Sequence, residues 1–489
     1  MSKLKQILKK IFLRNPYSPV FWLVLGLLFK GILFLAVILN HPYHDISGIW
    51  GATQGDDSSY LLPIDNLLQH GAYIPDFRMP GYGAVYLLFR FFFAQAGACN
   101  ALLILQLIFA SASVYYLALT AKNIFKNDSV FYFAFYLFLL SSFSNFFDAY
   151  IGSESLCTSL LIFSVYFFSR YFQKQQKQYL FYAGSLATCV IFIRPVFVGL
   201  IAVCSFLILF QGNTGVKAKM QAIFLFLIAF LLCEGCWVYR NYQAHKQFIP
   251  FTTAGEFYPE QANSYLKPLF RFTQSWGGAC NEPSNLDWFQ YHYKGMAPIL
   301  HYDSLPDDIY TSAYNKDSLL HLKGLIKALQ NPSVDKVTVA AYQSELITKL
   351  NKYRLSFKRE KPIVYYLEAP LKMMGVMLYS YLTRQYLERG KSVPILGKLI
   401  TTFNYFIYLI ILLSGLLGMI ALSLTGLKKL SYPLVVPFIP LYIILIHPFT
   451  FRFFDARFLM PAFPFIILCS AYILVDFIER ISSRNTRLQ

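Results

Sequence analysis

The chain has 489 residues, of which 56% are hydrophobic, 18% aromatic and only 14% charged, and its mean hydropathy is +0.46. That exceeds the apolar content of water-soluble domains and comes in long runs, so a soluble enzyme is excluded and a polytopic membrane protein is indicated. The net charge of +18 does not point to nucleic acid, because the Lys and Arg residues fall in short clusters between apolar runs, the pattern that orients membrane helices.

In chain order, a basic lead containing Lys3, Lys5, Lys9, Lys10 and Arg14 precedes an apolar stretch of spanning length without an A-x-A cleavage pattern, so it reads as an uncleaved first helix. A helix needs about 20 residues to cross the hydrocarbon core. On that measure ten spans are expected, near 18–40, 100–121, 129–147, 155–171, 179–193, 196–211, 219–238, 398–424, 431–449 and 459–479. With both termini cytoplasmic the positive-inside bias alternates: Lys122, Lys126, Arg170, Lys174, Lys177, Lys217, Lys219, Lys428 and Lys429 lie inside, and only Arg194, Arg452 and Arg457 mark the short outer hairpins. The alternation requires that residues 81–95, "GYGAVYLLFRFFFAQ", do not cross. They are predicted to form an amphipathic helix on the outer face, aromatics toward lipid and Arg90 snorkelling to the headgroups.

The expected organisation is a transmembrane module over 1–238 with its first outer loop at 41–99, an extracytoplasmic segment and interfacial helix over 239–397, and transmembrane hairpins over 398–489. Within the middle segment, Leu319, Leu322, Leu325, Ile326 and Leu329 recur at helical spacing, which predicts helices over about 315–360; 363–390 suits an interfacial helix. The eight cysteines imply no disulfide framework, and Cys233 and Cys236, a C-x-x-C inside an apolar run, read as small packing residues.

Acids and arginines from distant parts of the chain converge on the outer face: Asp45, Asp56, Asp57, Tyr60, Asp65, Asp76 and Arg78 after the first span, Asp148 and Glu154 later, then Arg194, Arg240, Arg452, Asp455 and Arg457. A carboxylate to take a proton and guanidinium forks to hold phosphate are what a reaction on a charged lipid headgroup needs. Any one of these acids also fits a plain solvated loop residue, and Arg194 and Arg457 fit interfacial anchors. His41, His44 and Asp45 lack the separated spacing of a dedicated metal site.

The stretch "GDDSSYLLPIDNLLQHGAYIPDFRMPGYGAVYLLF" resembles the first outer loop of the GT-C superfamily of membrane glycosyltransferases, in the branch of protein O-mannosyltransferases and the aminoarabinose lipid A transferase: Asp56 four residues before Tyr60, then a Leu-rich helix, Arg78 and "MPGY". The likeness continues in order through "SESL" with Glu154, "IFIRPVF" with Arg194, "WVYRNYQ" with Arg240 and "ARFLMPAFP" with Arg457. One departure is that Pro80 is followed by Gly81 where the family usually has a proline pair.

The resemblance implies an all-α GT-C-like enzyme that transfers a sugar, with inversion, from a polyprenyl-phosphate donor at the outer face of a bacterial inner membrane. It implies Asp56, with Asp57 beside it, as the catalytic carboxylate, Arg78 as a contact to the lipid phosphate, and Tyr60, Glu154, Arg194, Arg240 and Arg457 as further substrate contacts. No metal or other cofactor is expected, although Asp56, Asp57 and Glu154 could hold a divalent cation. The rival expectations are a lipid-linked glycan polymerase or ligase, and a transporter or flippase, which should keep ionisable residues at mid-membrane depth.

Overall fold

The computed structural model describes residues 18–40, 47–52, 56–76, 78–210, 215–251, 265–277, 309–329, 333–379, 394–452 and 455–487. Asp45, His41, His44 and Cys280 lie outside these described residues. The described chain is all-α, with isolated bridges in place of strands. It divides into two compact units: residues 1–253, 381–442 and 459–489 form the first, and 254–380 with 443–458 the second.

Seven helices among the described residues are long and apolar enough to cross a membrane, Pro19–Leu39, Gln95–Phe125, Ser153–Lys174, Val216–His245, Thr402–Lys429, Tyr432–Phe451 and Ala456–Ser483. The expectation of about ten spans, several of them short, is therefore corrected to seven among the described residues, or eight if a bent pair counts as one. Each of the other three predicted segments is helical but departs from a simple span. Gln178–Ile193 and Pro195–Phe210 are short apolar helices, and the predicted span at 129–147 is a bent pair, Asp128–Leu140 and Ser142–Ala149, meeting at 59°. The bend falls at Ser141, whose backbone is extended at φ −72° and ψ 97°. Beyond it, the Asn145 side chain donates to the Leu139 carbonyl at 2.7 Å, satisfying an acceptor that the broken helix leaves open.

In the first unit, helices pack where small residues allow close approach, as membrane helices do in the absence of a hydrophobic drive between them. A Cβ on Gly184 would stand 1.8 Å from the Phe226 carbonyl oxygen, and one on Gly418 2.2 Å from that of Cys469. These contacts press Gln178–Ile193 against Val216–His245 and Pro394–Lys429 against Phe463–Arg487. Trp22 on the first span is buried against the rings of Phe131 and Phe135, which fixes that span on Asp128–Leu140.

The second unit has its own core, in which Leu319, Leu322, Leu325 and Ile326 of helix Lys316–Leu329 meet Leu346 and Leu350 of helix Lys336–Glu360. These are the helices that the spacing predicts. Helix Lys336–Glu360 is capped by Asp335, whose carboxylate accepts from the backbone amides of Val337 and Thr338 at 3.0 Å each.

Candidate active site at the loop ends of the first unit

The loop after the first span and the segment before helix Ser153–Lys174 are tied by a parallel bridge: the Ala52 amide donates to the Ala149 carbonyl at 2.9 Å, and the Ile151 amide to that of Ala52 at 3.1 Å. Gly51 permits this, since a Cβ there would lie 2.6 Å from the Ala149 carbonyl oxygen. The bridge brings the two acidic stretches of the sequence, at 56–57 and 148–154, onto one framework.

Asp57 precedes helix Ser58–His70, is 3% exposed and accepts the Tyr60 and Leu61 amides at its carbonyl. Asp56, one residue earlier, turns its carboxylate outward, with 36% of the side chain exposed, toward Arg78 at 3.7 Å. Arg78 lies over the Tyr60 ring at 4.7 Å, and its Nε donates to Ser59 Oγ at 3.2 Å. Tyr60 is buried, and its hydroxyl donates to Ser153 Oγ at 3.1 Å. Arg194 Nε donates to the same Ser153 oxygen at 2.9 Å, and its Nη2 forms a charged hydrogen bond with Glu154. Five of the eight sequence candidates, Asp56, Tyr60, Arg78, Glu154 and Arg194, are thus joined through two serines that the sequence reading missed, Ser59 and Ser153.

Gly81 explains the departure from the proline pair. A Cβ at that position would sit 2.4 Å from the Phe192 carbonyl carbon and 2.7 Å from the Ile193 nitrogen. The start of helix Gly81–Arg90 therefore lies directly on the backbone leading into Arg194, where only glycine fits. At ten residues this helix is too short to span, as the charge parity requires. Its expected arrangement of aromatics and Arg90 is corrected in part. Leu88, Phe91 and Phe92 are exposed, but Tyr82 and Tyr86 are fully buried. The Tyr82 hydroxyl donates to Gln106 at 2.8 Å, and Arg90 does not reach out alone but pairs with Asp65 at 2.9 Å. Burial raises the Tyr86 hydroxyl well above its ordinary pKa, and Asp65, which accepts its proton at 3.2 Å, adds to the shift.

Arg240 holds the other side of the loop. It pairs with Asp76, donates to the Tyr73 carbonyl at 2.9 Å and lies 5.6 Å over the Tyr73 ring, while the Tyr73 hydroxyl donates to the Arg78 carbonyl at 3.2 Å. His245 Nε2 is 2.7 Å from the same Asp76 carboxylate. Burial pushes the Asp76 carboxyl up, but hydrogen bonds and charge from Arg240 and His245 outweigh it and hold the pKa below the usual carboxylate range. Arg457 belongs to the second unit, where it pairs with Asp455 at 3.1 Å.

A further ionic contact lies inside the first span. Lys30, midway along Pro19–Asn40, meets Asp148 at 2.7 Å, with side-chain exposures of 2% and 4%. The other Asp148 oxygen accepts from Ser155 Oγ at 2.6 Å. The available signal was a lone lysine in an otherwise apolar span, which by default has a partner.

No three His, Cys, Asp or Glu side chains converge among the described residues. Two of the three acids named as divalent ligands, Asp56 and Glu154, each face a guanidinium instead, so the set present does not fit a divalent ion.

The fold and this site define a multi-pass helical membrane protein with a preorganised cluster of acid, guanidinium and phenol groups at the loop ends. No family model and no curated relative matches the chain. Its backbone is similar to solved structures of the Archaeoglobus fulgidus oligosaccharyltransferase. One, with Zn and sulfate, shows 13% identity over 94% of this chain at a TM-score of 0.47. Another, with an inhibitory peptide and a dolichol-phosphate, shows 11% identity over 96% at 0.48. The chain spans about half the length of these structures, 50% and 52%. Likeness of that order carries no argument about chemistry.

Proposed function

We propose that this chain is an integral membrane glycosyltransferase that moves a sugar from a polyprenyl-phosphate donor to an acceptor hydroxyl on a lipid, glycan or protein, at the outer face of a bacterial inner membrane. The observation that carries this reading is the Asp56–Arg78 pair: a carboxylate and a guanidinium 3.7 Å apart, each about a third exposed, mounted on a buried polar scaffold. In the proposed step Asp56 takes the acceptor's proton as its oxygen attacks the anomeric carbon. The bond from that carbon to the phosphate oxygen breaks with inversion, the electron pair stays on the phosphate, and Arg78 neutralises it. Asp57, almost fully buried, is the weaker candidate for the base.

Arg194 closes on both Glu154 and Ser153, and Ser153 holds Tyr60, over whose ring Arg78 lies, which suits positioning better than direct phosphate contact. Arg240 is assigned the same duty for the 73–78 segment. Arg457, paired with Asp455 in the second unit, is retained only as a site candidate from the resemblance.

The Lys30–Asp148 pair favours one second reading, a transporter or flippase of lipid-linked sugar, because ionisable groups inside a span mark transport pathways. The two readings separate in proteoliposomes loaded with polyprenyl-phosphate-linked sugars. A transferase releases polyprenyl phosphate when an acceptor is supplied. A flippase moves the intact donor across the bilayer without release, and that result would displace the transferase.

A further inference from the structure

A groove of about 630 Å³ is lined by Lys177, Lys217, Gln221, Met220, Phe224 and Leu225. Lys177 directly precedes helix Gln178–Ile193, and the other lining residues lie in the first turns of Val216–His245. The groove lies just beyond the end of helix Ser153–Lys174 that is opposite to Ser153 and Glu154. Helix Ser153–Lys174 carries Glu154 in its first turn and ends three residues before Lys177, and its 22 residues rise about 33 Å at 1.5 Å each, close to the thickness of the hydrocarbon core.

The lining is divided along the membrane normal as a phospholipid is. Lys177 and Lys217 are exposed at the mouth. Lys177 is held by the Gln221 side chain, to which its ammonium donates at 3.1 Å, so one cation has a set position. Three and seven residues after Lys217 on the same helix come Met220 and Phe224, 53% and 56% exposed, apolar surface toward the depth where acyl chains begin. From Ser155 to Cys233 the chain carries no Asp or Glu, so these helices and their connections place no carboxylate of their own against the two ammonium groups.

We infer that this groove binds an anionic phospholipid, the phosphate between Lys177 and Lys217 and one acyl chain along Met220, Phe224 and Leu225. A zwitterionic lipid gains less, because its own cation offsets the phosphate. Free phosphate lacks the apolar half of the contact. A lysine near an anionic headgroup strengthens retention about fivefold, so removing both weakens it about 25-fold.

The test is native mass spectrometry of the full chain in detergent, titrated separately with phosphatidylglycerol, phosphatidylcholine and inorganic phosphate. Wild type should retain phosphatidylglycerol over phosphatidylcholine. Lys177→Gln with Lys217→Gln should lose that preference by about 25-fold, while Lys428→Gln with Lys429→Gln, at the basic end of another helix, keeps it. Equal retention by the groove variant would overturn the site. So would equal loss in the control pair, which would mean general attraction to a basic surface, or displacement of the lipid by millimolar phosphate, which would mean a free-anion site. Lipid retention is read without sugar transfer, so its outcome is independent of the proposed reaction.

Discussion

Lys30 and Asp148, 118 residues apart in sequence, meet at 2.7 Å inside the membrane-spanning unit, both almost completely buried. Because Asp148 also accepts from Ser155, in the first turn of the helix that carries Ser153 and Glu154, the contact ties the first span to the base of the candidate site. A buried pair loses most when one partner goes, since the other charge is left without compensation. Lys30→Met alone is expected to cost about 3–5 kcal/mol. Lys30→Met with Asp148→Asn, which still offers Ser155 an acceptor, should recover most of it. Thermal unfolding in detergent of the two singles and the double checks this, and additive losses would show that the pair is not coupled.

Two glycines in helices should respond in opposite directions. Gly81→Ala forces a Cβ into the backbone of Phe192 and Ile193, and overpacking of this kind costs about 1–3 kcal/mol. Gly324 is exposed on helix Lys316–Leu329, and a Cβ there would meet nothing within 4 Å, so Gly324→Ala should stabilise by about 0.5–1 kcal/mol through helix propensity. Melting curves of both variants decide the matter. A stable Gly81→Ala protein would mean that the Gly81–Arg90 helix is not seated on the Arg194 segment.

Asp76 gives a pH prediction. Its carboxyl is lowered below the ordinary value of 3.8 in the folded chain, so the group contributes stability above the unfolded pKa, and that contribution is lost as pH falls through the lowered value. The window is therefore below about pH 4. Asp76→Asn should cost the worth of a charged hydrogen bond at neutral pH, about 1.5–3 kcal/mol of stability, seen as a lower melting midpoint, and flatten the acid limb. An unchanged acid limb would remove Asp76 as its source.

Much of the fold was legible because hydropathy needs only local sequence. Each of the ten apolar segments is helical, and the stripe from Leu319 to Ile326 is the buried face of its helix. The bend at Ser141 was missed because a window average over 129–147 does not register one residue of extended backbone. Partners were harder still. Arg90 reads as a lipid-facing anchor until Asp65 is seen beside it, and the two are 25 residues apart. Asp56, Tyr60 and Arg78 were named through the resemblance of one loop, whereas Ser153, which joins Tyr60 to Arg194, is one of many serines until the fold brings it there.

The most direct test is turnover of a polyprenyl-phosphate-linked sugar by Asp56→Asn and Asp57→Asn in proteoliposomes, each first shown to be folded. Loss of a general base predicts a fall in kcat of about 10²–10⁴-fold for Asp56→Asn with KM for the donor little changed. Asp57→Asn should act on stability more than on kcat. Full turnover by folded Asp56→Asn would contradict the assignment.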